Sequence, residues 1–357
     1  MSQPAISVVM PSYNHGRYVD ACIEAFLGQT FEDFELIIID DASTDDNVDR
    51  IRSHGDERIR LITRATNCGV AKGMCDGFRL AKADLVAFFA TDDLPAPGYL
   101  AAAVGIMAQN PSAGVAYFPS SHIDEEGQVT GNACSLPSGL SRLEILRRSF
   151  FGGNQLSSPG MVIRRDAAAG SLAPSGLAQF SDWSLNNRLL LKGDVVLADE
   201  KLVFYRISTS SLSARSDTTI AREAAEMRLM MDDFMALRTM SQVRGVFGKD
   251  ADEFADLPDF HVPYVLGRLA LRSGYHEKRC WGYETILRHF SHPGVPESLA
   301  EKAGFSYKDL MALAPVLEGS PVKEINDLRR RLRRQKRTSV ILALLAVLVG
   351  VHLWLSR

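Results

Sequence analysis

Over its first hundred residues the chain switches repeatedly between two hydrophobic patterns. The run "ISVVMP" (6–11) is short, rich in β-branched residues and ended by Pro11, so it reads as a strand. From Gly16 to Leu27, Tyr18, Cys22, Ala25 and Phe26 recur at helical spacing and predict an amphipathic helix. "ELIIID" (35–40) is apolar through Ile39, as a parallel strand covered on both faces would be. Ser43 or Thr44 offers a cap for a polar helix through Arg52. "RIRLIT" (58–63), a helix over Val70 to Ala81, and "DLVAFFA" (84–90) continue the alternation. This order predicts an α/β domain with a mostly parallel sheet and helices on both faces.

Beyond residue 100 the pattern loosens. "GVAYFP" and "GMVIRRD" are strand candidates, and the Gly-, Ser- and Pro-bearing stretch between them is expected to be a loop near the site. "FSDWSLNNRLLLKG" predicts a helix with Leu185, Leu189 and Leu190 on one face, and "VVLADEKLVFYR" a hairpin. From about 218 the periodicity is helical: Ile220, Ala224, Met227, Met231 and Phe234 form one apolar stripe. "VPYVLGRLALRSG" and "RCWGYETILRHF" predict a helix pair.

Composition changes the picture mainly at the C-terminus. With 46% apolar and 23% charged residues the chain is ordinary for a globular protein, and its net charge of -3 argues against nucleic acid as a partner. The five scattered cysteines form no C-x-x-C pair and read as reduced structural thiols. The N-terminus lacks the basic and apolar regions of a signal peptide. "TSVILALLAVLVGVHLWL" (338–355) carries one ionisable residue, His352, and follows the basic run "RRRLRRQKR". That pairing predicts a single-pass membrane helix with the rest of the chain on the cytoplasmic side; a buried helix docked on the domain is the alternative. The expected division is a domain over 1–215, a helical region over 216–320, a basic juxtamembrane segment over 321–337 and the membrane helix over 338–355.

Two predicted strands end on adjacent carboxylates. Asp40 and Asp41 end the second, and Asp92 and Asp93 end the fourth. Either pair alone could serve a turn or a helix cap. Ligands of such sheets lie beyond the carboxyl ends of the strands, so two pairs there suggest a site for a cation or hydrogen-bond donors.

The pieces, in this order, resemble the family-2 glycosyltransferases with a nucleotide-sugar-binding domain of the GT-A type. The resemblance covers about residues 5–213. It rests on "SVVMPSYNHGRYVDACIEAFLGQTFEDFELIIIDDASTD", "NCGVAKG", "ATDDLPAPGYL", the "SDW" helix and "YRISTSSLS". It implies that Asp40 and Asp41 meet the base of a sugar nucleotide, Asp41 the more directly, with Pro11, Ser12 and Tyr13 lining the pocket. Lys72 falls where the family often places a basic residue at the nucleotide, or is a solvated helix residue. Asp92 and Asp93 match the acidic motif that holds Mn²⁺ or Mg²⁺, with Asp92 also at the nucleotide. Asp182 matches the general base of an inverting transfer, or caps its helix. Arg206 could hold a phosphate or form a structural ion pair. Trp183 could stack on an acceptor sugar or pack in the core.

Three positions depart from the pattern: Ala90 stands where many members have Asp, Ser181 where many have an acid, and Ser208 where His is usual. The expected partners are a nucleotide-sugar donor and a saccharide, lipid-linked or protein hydroxyl acceptor. The expected location is the cytoplasmic face of a bacterial inner membrane, with a role in surface polysaccharide or glycolipid assembly. Rival readings are a catalytically impaired binding or scaffold protein at the membrane, and nucleotidyl transfer. The latter wants a Gly-rich basic phosphate loop that "PSYNHGRY" does not supply.

Overall fold

A computed structural model describes residues 3–137, 139–172, 176–208 and 217–317. The predicted membrane segment lies outside them, as does most of the basic run's surroundings from 318 onward. Among the described residues no helix is long and apolar enough to cross a membrane.

Strands and helices alternate as expected through the first half: β1 (Ile6–Ser12), α1 (Val19–Leu27), β2 (Phe34–Asp40), α2 (Asn47–Ser53), β3 (Ile59–Thr63), α3 (Val70–Leu80) and β4 (Leu85–Phe88). There follow β5 (Leu94–Pro95), α4 (Tyr99–Gln109), β6 (Ala113–Tyr117), β7 (Ser120–Ile123), β8 (Val129–Cys134), α5 (Arg142–Phe151), β9 (Val162–Arg164), α6 (Ser181–Lys192), β10 (Asp194–Leu197) and β11 (Val203–Arg206). Helices then take over: α7 (Asp217–Met231), α8 (Met240–Phe247), α9 (Val262–Ala270), α10 (His276–Phe290), α11 (Val295–Ala303) and α12 (Tyr307–Ala312).

Among the described residues, one seven-stranded sheet runs β10-β6-β9-β4-β1-β2-β3 and a four-stranded sheet runs β5-β11-β7-β8. β1 pairs in parallel with both β2 and β4, Ser12 opposite Asp40 and Val9 opposite Phe88. β9 is antiparallel to both β4 and β6, so β6 points the same way as β4. The carboxyl ends of β1, β2, β4 and β6 therefore share one edge.

Both faces of the sheet are covered. Val8, Met10, Leu36 and Ile38 pack into one core with Cys22, Ile23 and Phe26 of α1 and Leu100 and Ala103 of α4. Val9, Ile37, Ile39 and Phe88 face the other way, into a core that continues through Met230, Phe234, Val265 and Ile286. The region after residue 216 is thus packed against the same sheet and shares its core. On that face α3 presses against β1: a Cβ on Gly77 would lie 2.2 Å from Val9 Cγ1, so only glycine admits this approach.

Three local expectations are corrected. Ser43 and Thr44 do not cap α2, whose N-cap is Asp46. Instead Ser43 Oγ accepts from Asn14 N at 2.9 Å and Thr44 N donates to Asn14 Oδ1 at 2.7 Å, tying the turn after β2 to the turn after β1. The stretch expected as a loop before β9 contains β7, β8 and α5, the last with a capping box of Ser141 and Glu144. The residues read as a hairpin are two strands in different sheets: β10 pairs with β6, and β11 with β5 and β7. Each finds a longer-range partner, which alternation alone does not reveal.

The expected helix pair is α9 and α10. They cross at Gly267 and Gly282, where a Cβ on Gly267 would meet Gly282 O at 2.7 Å and Ile286 Cγ1 at 2.5 Å. Gly267→Ala should therefore cost about 1–3 kcal/mol, as expected for an overpacked contact. Urea unfolding of the variant against the parent checks this.

Candidate active site

The shared edge gathers the candidate carboxylates. β1 delivers Pro11, Ser12 and the half-exposed Tyr13; β2 delivers Asp40 and Asp41; the turn after β4 delivers Thr91, Asp92 and Asp93. Two backbone positions there are strained: Asn14 (φ 53°) and Ala42 (φ 65°), just past the ends of β1 and β2, have the left-handed conformation. Non-glycine residues in that region cost of order 1–3 kcal/mol each and persist where surrounding contacts hold them. The Asn14 bonds to Ser43 and Thr44 are such contacts.

A buried polar chain links the strand ends. Asn47 Nδ2 donates to Asp40 Oδ1 at 2.8 Å and to Ser12 Oγ at 2.9 Å. Thr91 Oγ1 donates to Ser12 Oγ at 2.7 Å and lies 2.8 Å from His15 Nδ1, while His15 Nε2 is 3.8 Å from Asp92 Oδ2. Asp40 also accepts Ser43 N at 3.1 Å. Its carboxylate is spent inside the protein, holding the end of β2 to α2. Sequence reasoning missed His15, Asn47 and Thr91, because nothing in their spacing marks them as partners.

Asp41 is also committed. It accepts Arg64 Nη1 at 2.8 Å, Cys68 N at 2.9 Å and Gly69 N at 2.7 Å, which nearly fills a carboxylate's acceptor capacity. It thereby fastens the turn before α3 to the end of β2. Arg64 also donates to Asp76, and Lys72 pairs with the same Asp76 one helical turn earlier. That pairing leaves the Lys72 side chain 39% exposed.

The second pair divides its roles. Asp93 is buried and its Oδ1 accepts Arg206 N at 2.9 Å, but Oδ2 has no hydrogen-bond partner. Burial first, and the adjacent Asp92 carboxylate second, push the Asp93 pKa well above the usual range. Asp92 is partly open, its side chain 20% exposed. Two neighbouring carboxylates, one with an unpartnered buried oxygen, are a donor set suited to a hard divalent cation. Such an ion, held by Asp92 and Asp93, would supply positive charge beside a departing diphosphate. Arg206 is 3% exposed; its Nε donates to Asp92 O at 2.7 Å and its Nη1 to Asp124 O at 2.6 Å. Its guanidinium also lies 4.5 Å from the Tyr18 ring centroid. As placed, Arg206 braces the acidic turn and the β7–β8 turn from within.

Asp182 stands in the first turn of α6. It accepts Trp183 N at 2.7 Å and a hydrogen bond from the Ser158 hydroxyl, and it lies close enough to Tyr117, the last residue of β6, to act on its charge. β6 is two strands from β4, roughly 10 Å at about 4.8 Å per step. Asp182 is thus on the same edge as Asp92. Burial raises its pKa, opposed by the Trp183 and Ser158 hydrogen bonds. A more basic carboxylate is a better proton acceptor. Trp183 is buried, its Nε1 donating to Ser149 Oγ at 2.6 Å, so it packs in the core. Ser208 Oγ donates to Glu125 at 3.2 Å.

The two buried aspartates predict opposite outcomes in the protein without added metal. Asp41→Asn should cost about 2–4 kcal/mol by breaking a paired, hydrogen-bonded buried charge. Asp93→Asn, which removes a poorly compensated one, should be near neutral or stabilising. Thermal unfolding with chelator present distinguishes them.

Comparison with known proteins agrees with this architecture. Residues 7–170 match the family description Glycosyl transferase family 2. An uncharacterized glycosyltransferase of Haemophilus influenzae is 27% identical over 217 residues, 60% of this chain and 84% of that one. The Escherichia coli UDP-Glc:alpha-D-GlcNAc-diphosphoundecaprenol beta-1,3-glucosyltransferase WfgD is 30% identical over 110 residues, 31% of this chain and 44% of that one. In fold, the chain is similar to S. aureus TarS 1-349, crystallised with UDP, with a TM-score of 0.56 at 14% identity, covering 85% of this chain and 92% of that one. Residues 7–170 are thus similar to the family-2 glycosyltransferases, and the comparisons together support a glycosyltransferase.

Proposed function

We propose that the protein transfers a sugar, with inversion, from a nucleoside-diphosphate sugar to a hydroxyl acceptor. The observation that supports this is the shared sheet edge: Asp92 and Asp93 follow β4 and Asp182 lies near the end of β6, an arrangement that suits a diphosphate at the first and an acceptor at the second. The acceptor oxygen bonds to the anomeric carbon as the bond from that carbon to the phosphate oxygen breaks. Asp182 takes the hydroxyl proton, and the nucleoside diphosphate leaves with the bonding electrons. Attack from the face opposite the leaving group inverts the centre. Asp92 and Asp93 would hold Mn²⁺ or Mg²⁺, whose charge offsets that of the leaving diphosphate. Tyr13, Lys72 and the main chain near Pro11 form the exposed part of the nucleotide side, backed by Asp40 and Asp41.

WfgD is named for transfer to a diphosphoundecaprenol-linked sugar. A lipid-linked acceptor in surface-polysaccharide assembly, met at the cytoplasmic face of a bacterial inner membrane, suits the apolar segment 338–355 and its basic flank.

The test is a screen of sugar nucleotides for hydrolysis and transfer, with Mn²⁺, Mg²⁺ or chelator. Metal-dependent turnover is expected; metal-independent binding without turnover would establish the scaffold reading instead. Asp182→Asn should lower kcat by about 10²–10⁴-fold while donor affinity stays near parental. Asp92→Ala should remove the metal dependence of donor binding in calorimetry.

Transfer needs ionised Asp182, whose pKa is raised, so activity should fall on acidification with a midpoint above the ordinary aspartate value of about 3.9. The sign for stability is opposite. A carboxyl that protonates more readily in the folded state favours folding as pH falls through its folded pKa, for Asp182 and Asp93 alike. Asp20, Asp56 and Asp76 are held below the usual range, and their contribution is lost only at lower pH. Activity should therefore decline while circular dichroism is unchanged.

A further inference from the structure

The sheet positions Asp92 and Asp93, but Asp182 rides on a helix outside the sheet. The N-cap of α6, Phe180, has no side-chain cap bond, and Asp182 itself takes the first-turn amide of Trp183. The segment that leads into α6 is held from α7. The Glu226 carboxylate accepts three successive main-chain N–H groups, Ala178 at 3.0 Å, Gln179 at 2.7 Å and Phe180 at 3.0 Å. Glu226 is 5% exposed. One turn earlier on α7, Arg222 Nη2 donates to Gln179 Oε1 at 2.7 Å and Arg222 Nε lies 3.5 Å from Glu226 Oε1.

Two further ionisable side chains, Lys278 and Asp233, hold the same helix. Lys278 of α10 is fully buried; its Nζ donates to Ser149 O at 2.6 Å, Phe150 O at 3.0 Å and Gly152 O at 2.5 Å, at the end of α5. The same Nζ lies 4.6 Å from the Trp183 ring centroid, and Trp183 Nε1 donates to Ser149 Oγ. Asp233, after α7, accepts Ser184 Oγ at 2.7 Å and is 3.5 Å from Arg188 Nε. So the residues flanking Asp182 on both sides, 178–180 and 183–184, are gripped by side chains from beyond residue 216.

Resting on the assignment of Asp182 as base, we propose that Glu226, with Lys278, is a positioning residue: the helical region sets where Asp182 stands relative to the donor. A carboxylate that takes three amides makes charge-assisted bonds of short, defined length, and here it fixes the segment that leads into α6. Burial makes the arrangement intolerant of loss, because a buried acceptor or donor left alone keeps its full desolvation cost. The helical region thereby acts on the chemistry through the position of Asp182.

The experiment measures donor KM, kcat for transfer and donor hydrolysis in the full chain carrying Glu226→Ala, Glu226→Gln, Lys278→Met or Asp182→Asn. Displacement of a catalytic group by about 1 Å costs on the order of 100-fold. Glu226→Ala should lower kcat for transfer by at least about tenfold on that basis, with donor KM within about twofold of parental. Glu226→Gln, which keeps one acceptor oxygen in the same place, should recover part of the loss. Lys278→Met should give the same split between kcat and KM.

In the unaltered protein, hydrogen exchange read by NMR should show the amides of 178–180 protected like those inside α6. A parental kcat in folded Glu226→Ala, or exchange of these amides at open-chain rates, overturns the proposal. Should a variant fail to fold, the exchange measurement and Glu226→Gln decide it. If Asp182→Asn transfers at the parental rate, the base assignment itself fails. If Asp182→Asn is inactive and Glu226→Ala is parental, only the positioning role fails.

Discussion

The whole arrangement depends on the register of β1 between β2 and β4. Six of its seven residues are buried, and each apolar one faces a filled core. Apolar burial alone would tolerate a slip of two residues, since the faces repeat with that period. The polar residues do not tolerate it. Ser7 Oγ donates to Glu35 Oε1 at 2.6 Å and accepts Ala83 N at 3.0 Å, and Ser12 Oγ takes Thr91 and Asn47. A shifted β1 would leave these groups buried without partners. One pairing thus satisfies packing and hydrogen bonding together, and it is the pairing that sets Ser12, Asp40 and Asp92 along one edge.

Given that edge, the four acidic residues at the ends of β2 and β4 are not equivalent. Asp40 and Asp41 are engaged within the protein and hold the turn after β2 and the turn before α3. Asp93 keeps an oxygen without a partner in a buried place beside a second carboxylate. A structural role would have favoured an amide or a hydroxyl there, since an uncompensated carboxylate costs stability. The arrangement makes sense if the charge is met by a cation during function, and a perturbed group next to an open carboxylate is where such chemistry concentrates.

The legible part of the fold was its local part. The runs "ISVVMP" and "ELIIID" declare strands because both faces are apolar, and the acidic ends stand out because two strands stop on paired charge. β10 and β11 were misread because "ADEK" between them looks like a hairpin turn, while their true partners lie more than seventy residues away. α5 was missed although Ser141 and Glu144 have the spacing of a capping box. The resemblance named Asp92, Asp93 and Asp182, but not His15, Asn47 or Thr91, whose relation to them exists only after β1, β2 and β4 have paired. Arg206 illustrates the opposite limit: the resemblance offered a phosphate grip or a structural ion pair, and the side chain's Nε and Nη1 donate to main-chain carbonyls.

This contrast explains why the helical region is joined to the sheet's core and not hung beside it. A carboxylate at a strand end inherits its position from the sheet, where neighbouring strands fix it. Asp182 has no such support, because α6 follows a stretch whose described residues belong to no strand. Its location must be supplied by packing from outside. Met230, Phe234 and Trp281 bring α7 and α10 into the core that also holds Trp183, Leu185 and Leu189, and Glu226 and Lys278 add direction to that packing. Apolar contact fixes how closely α6 lies; only the charged, oriented bonds fix where its first turn begins.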